Sequence, residues 1–338
     1  MTLLDISALT LDAMRDRAED LEGDVIRTPV VGLNSPALQR ALGDSRLSMK
    51  LECFQHTGTF KARGALSVMR TLDDEALARG ITAASAGNHA IAAGWAAKRV
   101  GTSAKVVMQS NANPYRVELA RATGAELVMK APGAETFAEA ERLVAEEGRT
   151  FVHPFEGLHT SLGTAGIALE LLQDEPDLDA IVVSVGGGGL ISGIAAAVKA
   201  VRPACKVYGV EPEGANSMSQ SLLAGEPITI PKFDTIADSL APPMALPFGH
   251  ALCSAFVDDM VTVSDDQICA GMVVLQQDAK LAVEPAAGAV LAGALGPLRA
   301  RLQGQKVGLV ICGANIDVET YLSLMKRGQD ALVGLLRG

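Results

Sequence analysis

The sequence predicts an α/β protein built on parallel sheets. Three observations carry that expectation. From Ile81 onward, short apolar runs alternate with amphipathic helical stretches. Hydrophobic residues make up 49% of the chain and aromatics only 4%, so the apolar mass is Ala, Val, Leu and Ile, the mix found in strands buried on both faces. Polar or glycine-rich turns, "SAGN" and "GGGG", separate an apolar run from the helix that follows it. At 338 residues the chain suits one large domain or two linked ones.

The elements follow in order. "TLDAMRDRAEDLEG" reads as a helix capped by Thr10, with Leu11, Met14, Ala18 and Leu21 on one face. "IRTPVV" is extended, because the residues before Pro29 avoid the helical region. "LSMKLECF" is a strand and "KARGALSVMRTL" a helix. Then come "ITAA" (strand), "HAIAAGWAAKRV" (helix), "AKVVMQ" (strand) and "PYRVELARATG", a helix with proline in its first turn and glycine at its end. "AELVMK" is a strand, "AETFAEAERLVAEEG" a helix and "TFVHPF" a strand. "TSLGTAGIALELLQ" is helical, "DAIVVSV" a buried strand, "LISGIAAAVKAV" a helix and "KVYGVEP" a strand. Gly214 to Pro247 reads as less regular, and "VGLVICGAN" as a late strand running into a turn.

Composition excludes several classes. A formal net charge of −10 argues against nucleic acid and against an anionic membrane surface. The acidic opening "MTLLDISALTLDAMRDRAEDLEGD" lacks the basic segment and cleavage site of a signal peptide. The uncharged run Ala180 to Val198 has the length of a membrane span, but four glycines interrupt it, so strand, loop and helix is the expected reading. Five widely spaced cysteines without a CxxC suit reduced thiols and a cytoplasmic protein. The five histidines show no zinc-type spacing.

Four segments bear on chemistry. In "VVSVGGGGLISG" consecutive glycines let backbone N–H groups converge on an anion, and the next helix adds its positive end. It lacks the lysine and hydroxyl of a nucleotide P-loop. A dinucleotide reading uses Gly187, Gly189 and Gly193 with Glu211 as the ribose acid; a plain packing turn is the other alternative. "SAGNHA" offers Ser85, Asn88 and helix-start amides to a carboxylate, or is an ordinary helix cap. Cys312 in "VICGANID" ends a buried strand and on its own reads as a small core residue. Lys61 in "GTFKARGA" on its own reads as a solvated lysine. Together they supply an amine, a phosphate cradle, a carboxylate nest and a small neutral group. Those are the needs of pyridoxal 5'-phosphate.

Taken with their order, these segments resemble the fold-type II pyridoxal-phosphate enzymes of the threonine/serine dehydratase and serine racemase group. "GTFKARGA", "SAGNHA", "GGGG", "VEPAAGAVLAGAL" and "CGANID" carry the resemblance, which runs from Arg27 to Asp317. It implies two parallel-sheet α/β domains with the site in the cleft between them, a large one of residues 1–75 and 155–338 and a small inserted one of residues 76–154. It implies that Lys61 forms the Schiff base and removes the Cα proton, and that Phe60 packs beside the cofactor ring. Asn88 would bond the ring's 3-oxygen, Cys312 would face the ring nitrogen, and Gly186, Gly187, Gly188 and Gly189 would hold the phosphate. Ser85, Ala86, Gly87, Asn88 and His89 would surround the substrate carboxylate. It further implies a small amino-acid substrate, no membrane partner and a homodimer.

Two positions bear on reaction type. Cys312 is a neutral ring partner, which favours prompt loss of a β-leaving group over transamination. Ala86 stands where resembling racemases carry a serine acid/base, and alanine transfers no proton, so two-base racemisation is disfavoured. The expected reaction is β-elimination from threonine or serine, giving a 2-oxo acid and ammonia, with the cofactor phosphate as proton donor to the hydroxyl. Other 3-hydroxy amino acids such as 3-hydroxyaspartate, a racemase and an NAD(P)-binding oxidoreductase are the alternatives. Ile91, Ser239 and Phe155 depart from the group's pattern and reshape the expectation for the substrate side chain. "EPEGANS" resembles a divalent-metal segment, but Ser217 replaces a carboxylate, so no tight divalent site is expected near Glu211.

Overall fold

Apolar alternation builds two sheets in the computed structural model, which describes residues 6–337. The acidic opening weighed above includes residues 1–5, which lie outside the described residues. The strands are β1 (Val30–Leu33), β2 (Arg46–Lys50), β3 (Ile81–Ala84), β4 (Ala104–Gln109) and β5 (Glu126–Lys130). They continue with β6 (Thr150–Phe151), β7 (Ala180–Ser184), β8 (Lys206–Pro212), β9 (Asp259–Val263) and β10 (Lys306–Val310). One sheet has the order β1-β2-β10-β7-β8-β9 and the other β5-β4-β3-β6. All pairs are parallel except β1 with β2.

Burial explains the sequence pattern. Every residue of β7 is buried, as is every residue of the Ala- and Gly-rich helix Pro285–Leu295 that packs on the larger sheet. A strand or helix covered on all sides has no polar face to show, so it reads as a continuous apolar run. The helix Leu11–Asp20 starts where expected: Thr10 Oγ1 accepts from the Ala13 N–H at 3.1 Å, and Met14 and Leu21 are buried. Among the described residues no helix is long and apolar enough to cross a membrane.

Two expected strands stop short. "TFVHPF" is strand only at Thr150–Phe151. Val152 still donates to the Thr82 carbonyl at 2.8 Å, but Pro154 has no N–H, and His153 Nδ1 turns the chain by accepting from the N–H groups of Phe155 (3.2 Å) and Glu156 (2.9 Å). "LSMKLECF" is strand through Lys50, after which Glu52–Phe54 and His56–Gly58 form single 3-10 turns. The irregular stretch Gly214 to Pro247 contains the helix Ser217–Ala224.

The charges buried beneath these turns are paired. Arg63 is 2% exposed and donates to Glu52 from Nε and Nη2, both at 2.9 Å, and to Glu170 from Nη1 at 2.7 Å. Lys50, fully buried, donates to Glu170 Oε2 and to the Thr28 carbonyl at 2.6 Å each. This network ties β2 and the helix Leu158–Asp174 to the helix Lys61–Met69. Burial lowers the Lys50 pKa, and Glu170 opposes that shift. The two carboxylates hold the Arg63 guanidinium well above its ordinary range despite burial.

Candidate active site

The site collects at the carboxyl ends of strands, where open α/β sheets place their ligand crevices. After β10 the chain reaches Cys312 and Gly313, and both grip the segment that carries Lys61. Phe60 N–H donates to the Cys312 carbonyl at 3.1 Å, and Thr59 bridges to Gly313. Asn315 Nδ2 donates to the Thr57 carbonyl at 2.8 Å. Thr57 and Gly58 both take left-handed backbone, and a Cβ on Gly58 would stand 2.5 Å from Asn315 Oδ1. Only glycine fits there, and the tight turn aims Lys61 at the crevice.

Lys61 is half-buried, and its Nζ donates to the Pro154 carbonyl at 2.6 Å. It lies 5.0 Å from the centre of the Phe60 ring. Among the described residues no carboxylate pairs with it. Burial lowers its pKa to about 8, with Cys312 and Glu284 pulling weakly the other way. An amine that is substantially neutral near pH 8 can act as nucleophile and as base.

The glycine loop follows β7. Gly188 has φ +91°, and a Cβ on Gly187 would meet the Phe155 ring at 2.2 Å. The backbone N–H groups of Gly186, Gly187, Gly188 and Gly189 make no hydrogen bond among the described residues, so four donors are open to an anion. A second set opens after β3. Ser85 Oγ accepts from Gly87 N–H at 3.2 Å, while the N–H groups of Ala86, Asn88 and His89 at the start of the helix Asn88–Val100 stay unpaired. Unpaired N–H groups at a helix start can hold an anion.

Several side chains hold positions the sequence reading did not foresee. His89 is buried, and its Nε2 is 2.8 Å from the Val152 carbonyl, so Nε2 carries the proton. Burial and the Lys61 charge lower its pKa to about 3. Its ring therefore has no second donor, and only its backbone N–H can serve a carboxylate. Asn88 is engaged at both ends: Nδ2 donates to Glu284 Oε1 and Oε2 at 2.9 Å each, and Oδ1 accepts from Asn315 Nδ2 at 2.9 Å. Cys312 is 2% exposed, and its Sγ accepts from Ser184 Oγ at 3.5 Å. Burial, with Glu284 nearby, pushes the thiol far above its ordinary pKa, so it stays neutral.

Glu284 and Arg116 are the residues missed. Glu284 is 2% exposed beneath Asn88, and burial raises its pKa against the pull of Arg116 and Asn88. Arg116 donates from Nε to the Asn315 carbonyl at 3.1 Å, pairs with Asp238, and sits 3.8 Å from Glu284. The available signal was Glu284 itself, one charge in the uncharged run Leu281 to Leu298. A buried charge demands partners.

Comparison with known proteins identifies the family. The family described as "Pyridoxal-phosphate dependent enzyme" matches residues 21–313. The phenylserine dehydratase of Ralstonia pickettii is 46% identical over 81% of this chain and 84% of its own length. The L-threonine ammonia-lyase of Thermotoga maritima is 35% identical over 95% of this chain and 79% of its own. The structure of maize serine racemase superposes with a TM-score of 0.88 at 33% identity, covering 95% of this chain and 98% of that one. The chain belongs to the pyridoxal-phosphate dependent enzymes, in the fold-type II group that holds the dehydratases, ammonia-lyases and serine racemases.

Proposed function

We propose that the chain is an ammonia-lyase that eliminates water from a 3-hydroxy amino acid, giving a 2-oxo acid and ammonia, with Lys61 as the residue that binds the cofactor and moves the Cα proton. The observation that carries this reading is Lys61 itself: a half-buried amine with no ion pair among the described residues, in a structure that also holds two sets of N–H groups unpaired among those residues.

The residues present fit pyridoxal phosphate. The four open N–H groups of Gly186 to Gly189 suit its phosphate, and no side chain larger than hydrogen fits at Gly187 beside Phe155. The Cys312 thiol offers its ring a neutral neighbour, and Phe60 lies beside the amine. When bound, the cofactor supplies the electron sink that acidifies the substrate's Cα proton.

This chain's residues do the rest. The N–H groups of Ala86, Asn88 and His89 bind the substrate carboxylate and fix the Cα–H bond toward Lys61. Lys61, neutral above about pH 8, takes that proton. Ala86 has no proton to deliver to the opposite face, which favours elimination over racemisation. Asn88 is held between Glu284 and Asn315, and one of its Nδ2–H groups would have to leave Glu284 to donate to the cofactor's 3-oxygen.

Threonine and serine are the substrates the sequence suggests. The 46% identity to a phenylserine dehydratase and the Phe155 ring on the glycine loop favour a bulkier apolar side chain, with 3-phenylserine first in the panel. We read the two sheets as domains of residues 1–75 with 155–338 and 76–154, and the protein as a cytoplasmic homodimer.

The test is an absorption spectrum of the purified protein before and after adding serine, threonine, 3-phenylserine and 3-hydroxyaspartate, with 2-oxo acid release followed in the same cuvette. A cofactor band that shifts and yields a 2-oxo acid is the expected result. A protein that stays colourless with added pyridoxal phosphate contradicts the reading.

A further inference from the structure

The turn between β6 and the helix Leu158–Asp174 contains a polar group that the reading above does not use. His153 Nδ1 accepts two backbone hydrogen bonds, from Phe155 N–H at 3.2 Å and Glu156 N–H at 2.9 Å. A nitrogen that accepts both cannot carry the proton, so the proton is on Nε2. Burial and the Lys61 charge lower the His153 pKa to about 4, which keeps the ring neutral at working pH. The ring is also fixed in direction. Its centre lies 4.7 Å from the Phe155 ring at 87° and 5.8 Å from the Phe151 ring at 77°, both edge-to-face. The result is a neutral N–H donor of known tautomer and locked orientation, half-buried, with no hydrogen-bond partner for Nε2 among the described residues.

The two residues that follow it in the chain belong to the site. The next residue, Pro154, receives the Lys61 ammonium at 2.6 Å, and Phe155 lies on the glycine loop. Each polar group of a 3-hydroxy amino acid needs a partner once water is excluded. The carboxylate has the N–H groups after β3 and the amino group has the Lys61 site. The sequence reading gives the β-oxygen the cofactor phosphate but no donor from this chain, and His153 Nε2 is a donor with no partner among the described residues.

We propose that His153 donates a hydrogen bond from Nε2 to the substrate's β-hydroxyl and so selects 3-hydroxy amino acids and aligns the C–O bond for departure. This rests on the lyase reading. Lys61 takes the Cα proton, the Cα–H electron pair becomes the new Cα–Cβ bond order, and the C–O pair leaves with oxygen. The Lys61 ammonium so formed returns the proton to that oxygen, giving water and the neutral amine. His153 keeps its own proton throughout; it steadies charge growing on the leaving oxygen, as a fixed donor does at an oxyanion.

The test uses leaving groups that differ in their need for a donor. His153→Asn keeps the turn, since Asn Oδ1 can accept the same two N–H groups, and deletes Nε2–H. Wild type and variant, both loaded with cofactor, are assayed on whichever of serine, threonine, 3-phenylserine and 3-hydroxyaspartate the wild type turns over fastest, and on 3-chloro-L-alanine. Chloride leaves as a stable anion without a donor. The expected result is a loss of about 100-fold in kcat/KM on the hydroxy substrate and less than about 3-fold on the chloro substrate, with cofactor absorption and Tm unchanged. Equal losses on both substrates, or none on the hydroxy substrate, overturn the proposal. His153→Phe, which keeps the ring packing, is read for the same ratio in case the Asn variant folds poorly. A wild type that turns over 3-chloro-L-alanine but none of serine, threonine, 3-phenylserine and 3-hydroxyaspartate overturns the dehydratase reading itself, which separates the two failures.

Discussion

Gly187→Ala tests the cradle on which cofactor binding depends. An alanine Cβ at this position would stand 2.2 Å from Phe155 Cδ2 and 2.4 Å from Cγ, where ordinary carbon contacts need about 3.5–4.0 Å. Either the ring or the loop must retreat by more than an ångström. The ring has little room, because the Phe155 backbone already approaches Gly189 so closely that a Cβ there would meet its carbonyl oxygen at 2.6 Å. The loop moves instead, and its open N–H groups lose their convergence. Overpacking of this kind costs about 1–3 kcal/mol, which is about 5- to 150-fold in cofactor affinity. The assay is a titration of the cofactor-free protein with pyridoxal phosphate, followed through the single tryptophan, Trp95. Gly186→Ala is the internal control, since its Cβ would come no nearer than 3.2 Å to Leu240 Cα and the Ser239 carbonyl and needs a shift of a few tenths of an ångström. Phe155→Ala combined with Gly187→Ala should recover most of the lost affinity. An affinity for G187A within about 3-fold of wild type, or no recovery in the double variant, would refute the steric reasoning.

Three further outcomes follow from the same geometry. Arg63→Leu strands the fully buried Glu52 without its guanidinium, and should cost about 3–5 kcal/mol, or about 6–10 °C in Tm at about 2 °C per kcal/mol, read by calorimetry; a Tm within 2 °C of wild type contradicts it. In the cofactor-free protein Lys61 is a cation below about pH 8 and an amine above it, so the rate of covalent cofactor attachment should rise with pH and level off past pH 8; a midpoint near the ordinary lysine value in stopped-flow runs contradicts it. Glu211 spends its carboxylate on Met218 N–H (2.9 Å), Ser219 N–H (2.8 Å) and Ser219 Oγ (2.5 Å), and burial raises its pKa to about 7. A strong chelator should therefore leave activity and Tm unchanged, and a loss restored by magnesium would show a divalent site.

The parts of the site that were legible are those built within one strand, turn and helix. Gly186 to Gly189 sit between β7 and the helix Ile191–Val201, and Ser85 to His89 between β3 and the helix Asn88–Val100, so local apolar alternation located both. Lys61 was legible through its neighbours Gly58 to Ala65, whose turn and helix are also local. What stayed hidden depends on long-range pairing. Glu284 meets Asn88 across 196 residues of sequence, Asn315 meets Asn88 across 227, and Arg116 meets Asn315 across 199. No local periodicity encodes such contacts. The strand ends at Lys50 and Phe151 were misplaced for a different reason: β-propensity continues through Leu51 and Val152, but the 3-10 turns after Leu51 and the His153 turn with Pro154 end the strands.

Reductive trapping tests the role of Lys61 most directly. The cofactor-loaded protein is treated with borohydride, digested and mapped by mass spectrometry, alongside Lys61→Ala carried through the same steps. The expected result is a reduced pyridoxyl group on the peptide containing Lys61, with no such mark and no 2-oxo acid release in the variant. A mark on another lysine, or normal turnover in Lys61→Ala, would contradict the assignment.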